Sequence, residues 1–215
     1  MDLIPLDVIG SSALDPGSRT RAFAAAEAAI DRCRLCVDAG FPVEPRPIYR
    51  GRVDAPILVV GQAPGRREQE RGLPFIGPSG RRLMAWAARA GFTEQEFREK
   101  CYFSAITKCF PGAAAKGDRR PTPHEIGLCR PHLLAPLPLL EPRVVLLIGQ
   151  MAIEAFLAPR PLNQWVGCVE ARAGRFWIPL PHPSGASLWL NQPDHRALVD
   201  QALEEFGRLR VELGL

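Results

Sequence analysis

The chain has 215 residues, with 27 Lys and Arg against 23 Asp and Glu and a net charge of +4, which fits one domain with a sizeable core. Apolar residues make up 47% and charged residues 23%, a globular composition that excludes wholesale disorder. The 22 prolines predict many fixed loops and exclude long uninterrupted helices and coiled coils. Residues 1–20 carry Pro5, Gly10, Pro16 and Gly17 without periodicity, so we expect a loose arm, followed by one folded domain over residues 21–215. No basic segment followed by an apolar core opens the chain, which points to a cytoplasmic protein. Helix-forming residues run from Arg21 to Ile30, and a proline-rich connector spans Gly40–Arg52. The apolar run Pro56–Gly61 is the first expected strand. Loop then covers Gly72–Gly80, helix Arg81–Ala90, and a second strand Tyr102–Thr107.

Thr122-Pro123-His124-Glu125 writes a helix start, with Thr as N-cap, Pro in the first position and Glu in the third. The most apolar stretch, His132–Gly149, is cut by Pro136, Pro138 and Pro142 and charged at Glu141 and Arg143, so it cannot span a membrane. Its end, Val144–Gly149, is the third strand. A helix over Met151–Leu157, a fourth strand over Phe176–Leu180 and a closing helix over His195–Leu213 complete the pattern. Solid apolar strands alternating with helices predict a three-layer α/β/α sandwich around a four-stranded parallel sheet.

Of the 27 basic residues, 24 are Arg, which fits either a codon bias or bidentate contact with phosphate. Six cysteines are present, and in a chain without an export signal disulfides are the less expected use. Cys33-x-x-Cys36 has metal-chelating spacing, with Cys109 and Cys129 as the further candidates. Buried structural thiols are the competing reading, and spacing does not separate zinc from iron–sulfur. Ligands of open parallel sheets gather at the carboxyl ends of strands, and two loops there are loaded. One is Gly61-Gln62-Ala63-Pro64-Gly65-Arg66-Arg67-Glu68, continuing to Gly77; it is neither a P-loop nor a dinucleotide fingerprint. The other is His182-Pro183-Ser184-Gly185-Ala186-Ser187.

Together, GQAPGRREQERGLPFIGPSG, FSAITKCFPG, PTPHEIGLC, VVLLIGQMA and HPSGAS resemble the uracil-DNA glycosylase superfamily. The closest likeness is to its iron–sulfur branch, which includes the family-4 enzymes. The resemblance implies a monomeric DNA repair enzyme that hydrolyses the N-glycosidic bond of uracil or a related deaminated base. It implies a [4Fe–4S] cluster on Cys33, Cys36, Cys109 and Cys129, with Cys101 and Cys168 as plain thiols. Phe75 would stack on the extruded base, in a pocket with Gly61, Ala63 and Ala105, and His182 would donate to the base carbonyl. The loop bearing Gln62 and Glu68 would position the water. Ser184, Gly185, Ser187 and Leu188 would meet DNA, Leu188 or Trp189 wedging into the base stack or else packing the loop on the last helix. Two residues depart from the family-4 pattern: Gln62 replaces Glu, and Ala105 replaces the Asn that reads the uracil edge. Those departures leave open a DNA-binding relative that has lost turnover.

Overall fold

In the computed structural model, which describes residues 3–115, 117–184 and 188–215, the sheet forms where the apolar runs predicted it. Strands β1 (Ile57–Gly61), β2 (Cys101–Ala105), β3 (Val144–Ile148) and β5 (Arg175–Leu180) pair in parallel. A further strand, β4 (Glu170–Arg172), joins the edge antiparallel to β5, giving the order β2-β1-β3-β5-β4. The sheet therefore has five strands, not the four expected. β4 escaped notice because its residues are polar and largely exposed, leaving no apolar run. The signal present was its turn: Ala173 and Gly174, both at positive φ, make the two-residue primed hairpin that suits twisted strands.

β1, β2 and β3 are buried along their whole length, and successive side chains enter opposite cores. Ile57, Val59, Phe103, Leu146 and Ile178 pack with α4 (Pro78–Arg89), α5 (Glu94–Lys100) and α8 (Pro193–Glu212). Leu58, Val60, Tyr102, Val145 and Trp177 face the opposite core, which takes Phe23 of α1 (Pro16–Asp31), Leu133 of α6 (Pro123–Leu134) and four residues of α7 (Gln150–Phe156). Both faces are thus covered by helices, as parallel sheets require.

The N-terminal residues correct the expected loose arm. Ile4 and Ile9 are buried, and the Ile4 amide donates to the Ala155 carbonyl at 2.7 Å. α1 begins at Pro16, where the Asp15 carboxylate accepts the Gly17 and Ser18 amides, an N-cap overlooked because apolar periodicity starts later. Proline content also limited helices less than composition suggested. α8 runs 20 residues with its proline at the first position, where the missing N–H costs nothing. Three short helices were not foreseen: α2 (Leu35–Asp38), α3 (Arg66–Arg71), which starts inside the loop expected after β1, and α5. No helix among the described residues is long and apolar enough to cross a membrane.

Candidate active site and thiol pocket

The two loaded loops leave the carboxyl ends of β1 and β5, which flank β3 in the sheet. Gly61 closes β1, and a Cβ on it would stand 3.1 Å from Cζ of Phe75. The Phe75 ring therefore lies directly over the strand end, where only glycine leaves it room. Phe75 takes a left-handed backbone at φ 53°, costly for a non-glycine residue. Arg98 holds it there, donating to the Pro74 carbonyl at 3.2 Å and the Phe75 carbonyl at 2.9 Å. Gly80 of α4 presses against the same peptide; a Cβ there would fall 2.0 Å from the Phe75 oxygen. Gly80→Ala is accordingly expected to force this turn apart and lower the melting temperature by several degrees. Thermal unfolding of the variant checks this, and an unshifted transition would contradict the packing described.

Glu68 of α3 completes the clamp. Its Oε1 accepts the amides of Ile76 at 2.9 Å and Gly77 at 2.8 Å, so this carboxylate fixes the turn that carries Phe75. Gln62 and Ala63 are half-buried beside it. The Gln62 carbonyl accepts the Thr107 amide at 3.2 Å, and the Gly61 carbonyl the Ile106 amide at 3.0 Å, which docks the loop onto the end of β2. No hydrogen bond holds the Gln62 side-chain amide among the described residues. Ala105, at that same end, is 7% exposed.

His182 leaves β5 and packs against Gly149, whose positive φ of 90° lets the backbone pass close to the imidazole. A Cβ on Gly149 would lie 3.3 Å from His182 Cβ and Cδ2. The Ser184 amide donates to His182 Nδ1 at 3.3 Å, so Nδ1 is unprotonated and the ring proton sits on Nε2. Burial, then the charge of Arg120, hold the pKa of His182 below the ordinary imidazole value. The ring is a neutral donor at neutral pH. Ser184 is half-buried, while Gly185 and Ser187 lie outside the described residues. Leu188 opens a 3-10 turn, Leu188–Asn191, and is 75% exposed. Trp189 behind it stacks on His195 at 4.0 Å between ring centroids.

Two further residues near this site, Asp118 and Arg120, were not among the sequence candidates. Asp118 Oδ2 and Glu68 Oε2 would each stand 2.8 Å from a Cβ on Gly65, so a second carboxylate faces the Gln62 loop. Burial, and then the neighbouring Glu68 charge, raise the pKa of Asp118. Arg120 supplies positive charge near His182. No spacing rule pointed to either, because both arrive from a loop distant in the chain.

On the opposite side of β2, Cys33, Cys36, Cys109 and Cys129 line one pocket. Cys33 follows α1, Cys36 lies on α2, Cys109 follows β2 and Cys129 sits on α6. All four are free thiols. α6 is seated by a capping box between Thr122 and Glu125, and Arg119 grips the Glu125 carboxylate with two bonds of 2.7 Å. The Lys108 amide donates to Cys129 Sγ at 3.3 Å. Burial, then the other thiols, push Cys36 up to about 11 and Cys109 up to about 12. The buried Thr107 hydroxyl, in the same wall, has no hydrogen-bond partner among the described residues. Among the described residues, no three His, Cys, Asp or Glu side chains close on a single metal ion.

Comparison with known proteins adds the following. A family model described as the uracil DNA glycosylase superfamily matches residues 48–207, a span that contains every loop of the candidate active site but begins after Cys33 and Cys36. Similar proteins include the type-4 uracil-DNA glycosylase of Thermotoga maritima, 30% identical over 146 residues, or 64% of this chain and 69% of that protein. The type-4 uracil-DNA glycosylase of Archaeoglobus fulgidus is 35% identical over 104 residues, 48% of each chain. That of Sulfurisphaera tokodaii is 29% identical over 172 residues, 75% of this chain and 73% of that protein.

Proposed function

The chain belongs to the uracil DNA glycosylase superfamily and is on that footing a DNA glycosylase; we propose that it hydrolyses the N-glycosidic bond of uracil or a related deaminated base. The observation that carries this reading is the neutral imidazole donor that His182 presents after β5. At the end of β1, with β3 between the two strands, Phe75 is held in a clamped turn over Gly61. A base inside a duplex is out of reach, so it is extruded and held by stacking and edge contacts. Phe75 offers the stacking face over Gly61. As the glycosidic bond lengthens, negative charge gathers on the base, and the His182 Nε2–H donates to its carbonyl oxygen. A donor already in place stabilises that charge without reorganising. Arg120 adds a favourable field to the same end.

The sugar becomes cation-like, so the attacking water needs orientation more than deprotonation. Gln62 orients it through its amide, and Glu68 keeps the loop in register by holding the turn at Ile76 and Gly77. Ala63, beside Gln62, lines the pocket. Ser184 and Leu188 form the DNA-facing rim, and exposed Leu188 fills the gap left by the extruded base. Ala105 offers no side-chain donor or acceptor to the base edge, so the pocket tolerates more than uracil. Ala105→Asn is expected to sharpen preference for uracil over hypoxanthine and xanthine, since a polar reader rejects bases it cannot pair. Relative cleavage rates on the three substrates check this; an unchanged ratio would place edge reading elsewhere.

The thiol pocket suits a [4Fe–4S] cluster. Four thiols line one cavity, a ligand set that suits an iron–sulfur cluster. Bound there, the cluster would tie Cys33 and Cys36 to Cys109 and Cys129, and so α1 and α2 to the sheet and α6. The activity is tested by alkaline strand cleavage after incubation with single- and double-stranded oligonucleotides carrying uracil, hypoxanthine or xanthine. Cleavage of at least one is expected. None, from iron-loaded protein, would favour a DNA-binding relative without turnover.

A further inference from the structure

Beside the His182–Ser184 loop, a groove runs between α4 and α8. It offers about 920 Å³ of space open to solvent, and its lining includes Arg82, Trp86 and Arg89 of α4, Asn191, and Arg196 and Asp200 of α8. Arg82 and Arg89 are seven residues apart, so they share one face of α4 and stand about 10 Å apart along its axis. That separation lets the two guanidiniums reach different phosphates of one strand. Arg196 and Asp200, four residues apart, face the groove from α8.

The partners of these guanidiniums leave most of their charge uncompensated. Arg82 donates to the Ser184 carbonyl at 3.3 Å, and Arg196 to the carbonyls of Leu190 at 3.2 Å and Asn191 at 3.1 Å. Carbonyls are neutral. The groove's lone carboxylate among the described lining residues, Asp200, pairs with Arg89 at 2.8 Å. Among the described residues, three cations against one anion leave the lining net positive, and each guanidinium fork has more donors than partners. The groove also has a fixed relation to the site. Arg82 reaches the His182–Ser184 loop, and the turn beginning at exposed Leu188 forms one wall through Asn191.

We propose that this groove binds the phosphodiester backbone of the DNA strand flanking the extruded nucleotide, Arg82, Arg89 and Arg196 each contacting a phosphate. The proposal rests on the glycosylase reading of the adjacent site. Arginine's planar fork matches phosphate geometry, and Asp200 orients Arg89 while weakening its attraction for the strand.

The test is the salt dependence of binding to an oligonucleotide carrying an uncleavable abasic-site analogue, so that no catalysis intervenes. Arg89 is the cleanest site, because its side-chain partner is on the surface and it holds no loop carbonyl. Arg89→Ala, and Arg89→Ala combined with Arg196→Ala, are expected to weaken binding and to lower the slope of log affinity against log salt by about one per lost phosphate contact. Asp200→Asn is expected to strengthen binding, an outcome that a merely structural ion pair would not produce. Arg208→Ala, on an exposed face of α8, serves as the control with the parental slope. Parental slopes in both arginine variants, or weaker binding in Asp200→Asn, would overturn the groove while leaving the glycosylase reading standing. A parent protein that binds no DNA at any salt would instead remove the glycosylase reading on which the groove depends.

Discussion

His182→Ala is expected to slow base release in a single turnover by about 10²–10³-fold, the usual cost of removing one donor from a developing anion. DNA affinity should change far less, because the His182 contact strengthens only as charge moves onto the leaving base. Equal losses in rate and affinity would reduce His182 to a binding residue. The pH dependence follows from the same environment. With its pKa lowered by burial and by Arg120, His182 is neutral in the folded protein at pH values where a free imidazole, near ~6.5, is already protonating. The rate should therefore hold level as pH falls through 6.5 and decline only below it, as protonation at Nδ1 disrupts the contact with the Ser184 amide. Stability runs the same way. Between about 6.5 and the lowered value the unfolded chain binds a proton that the folded chain does not, so stability falls as pH falls. A rate profile that inflects at 6.5 would contradict the buried, neutral ring.

Cys129→Ala is expected to abolish retention of iron and sulfide and the visible absorbance of the cluster. The loss removes a cross-link between segments far apart in the chain. By the chain-entropy estimate for a closed loop of this size, a cross-link contributes about 4 kcal/mol, which for a protein of this length corresponds to roughly 10 °C in melting temperature. The Lys108 amide would also lose its sulfur acceptor. Cys168→Ala is the matched control: Cys168 is exposed and outside the thiol pocket, and its substitution should leave iron content and melting temperature unchanged. Full iron in Cys129→Ala would remove that residue from the ligand set. Stoichiometric zinc without colour in the parent would replace the cluster altogether.

Legibility differed by element for physical reasons. β1 and β3 could be read because a strand buried on both faces is a continuous apolar run, and the helix at Pro123 because its capping box is written in four consecutive residues. β4 could not, since an exposed edge strand needs no apolar side chains and betrays itself only through its turn. The N-terminal residues misled in the opposite direction: aperiodic sequence suggested a loose arm, yet Ile4 and Ile9 are individually buried on a path that has no period. Among the candidate site residues, His182 was singled out by its loop at a strand end, and Phe75 by motif resemblance. The contacts that make them useful were not, because the Arg98 clamp, the space under Gly61 and Gly80, and the approach of Asp118 and Arg120 depend on tertiary proximity. Glu68 shows the limit most clearly. The resemblance put Glu68 in a loop expected to position water, and in the folded chain its Oε1 accepts two backbone amides.

The central claim, hydrolytic release of an intact base with His182 donating to the leaving group, is tested most directly by incubating the protein with uracil-containing DNA in ¹⁸O-labelled water. The products are then resolved by mass spectrometry, with His182→Ala in parallel. The account predicts free uracil and an unbroken strand carrying ¹⁸O at the abasic sugar, both strongly reduced in the variant. Strand breakage without free uracil, or uracil release undiminished in His182→Ala, would contradict it.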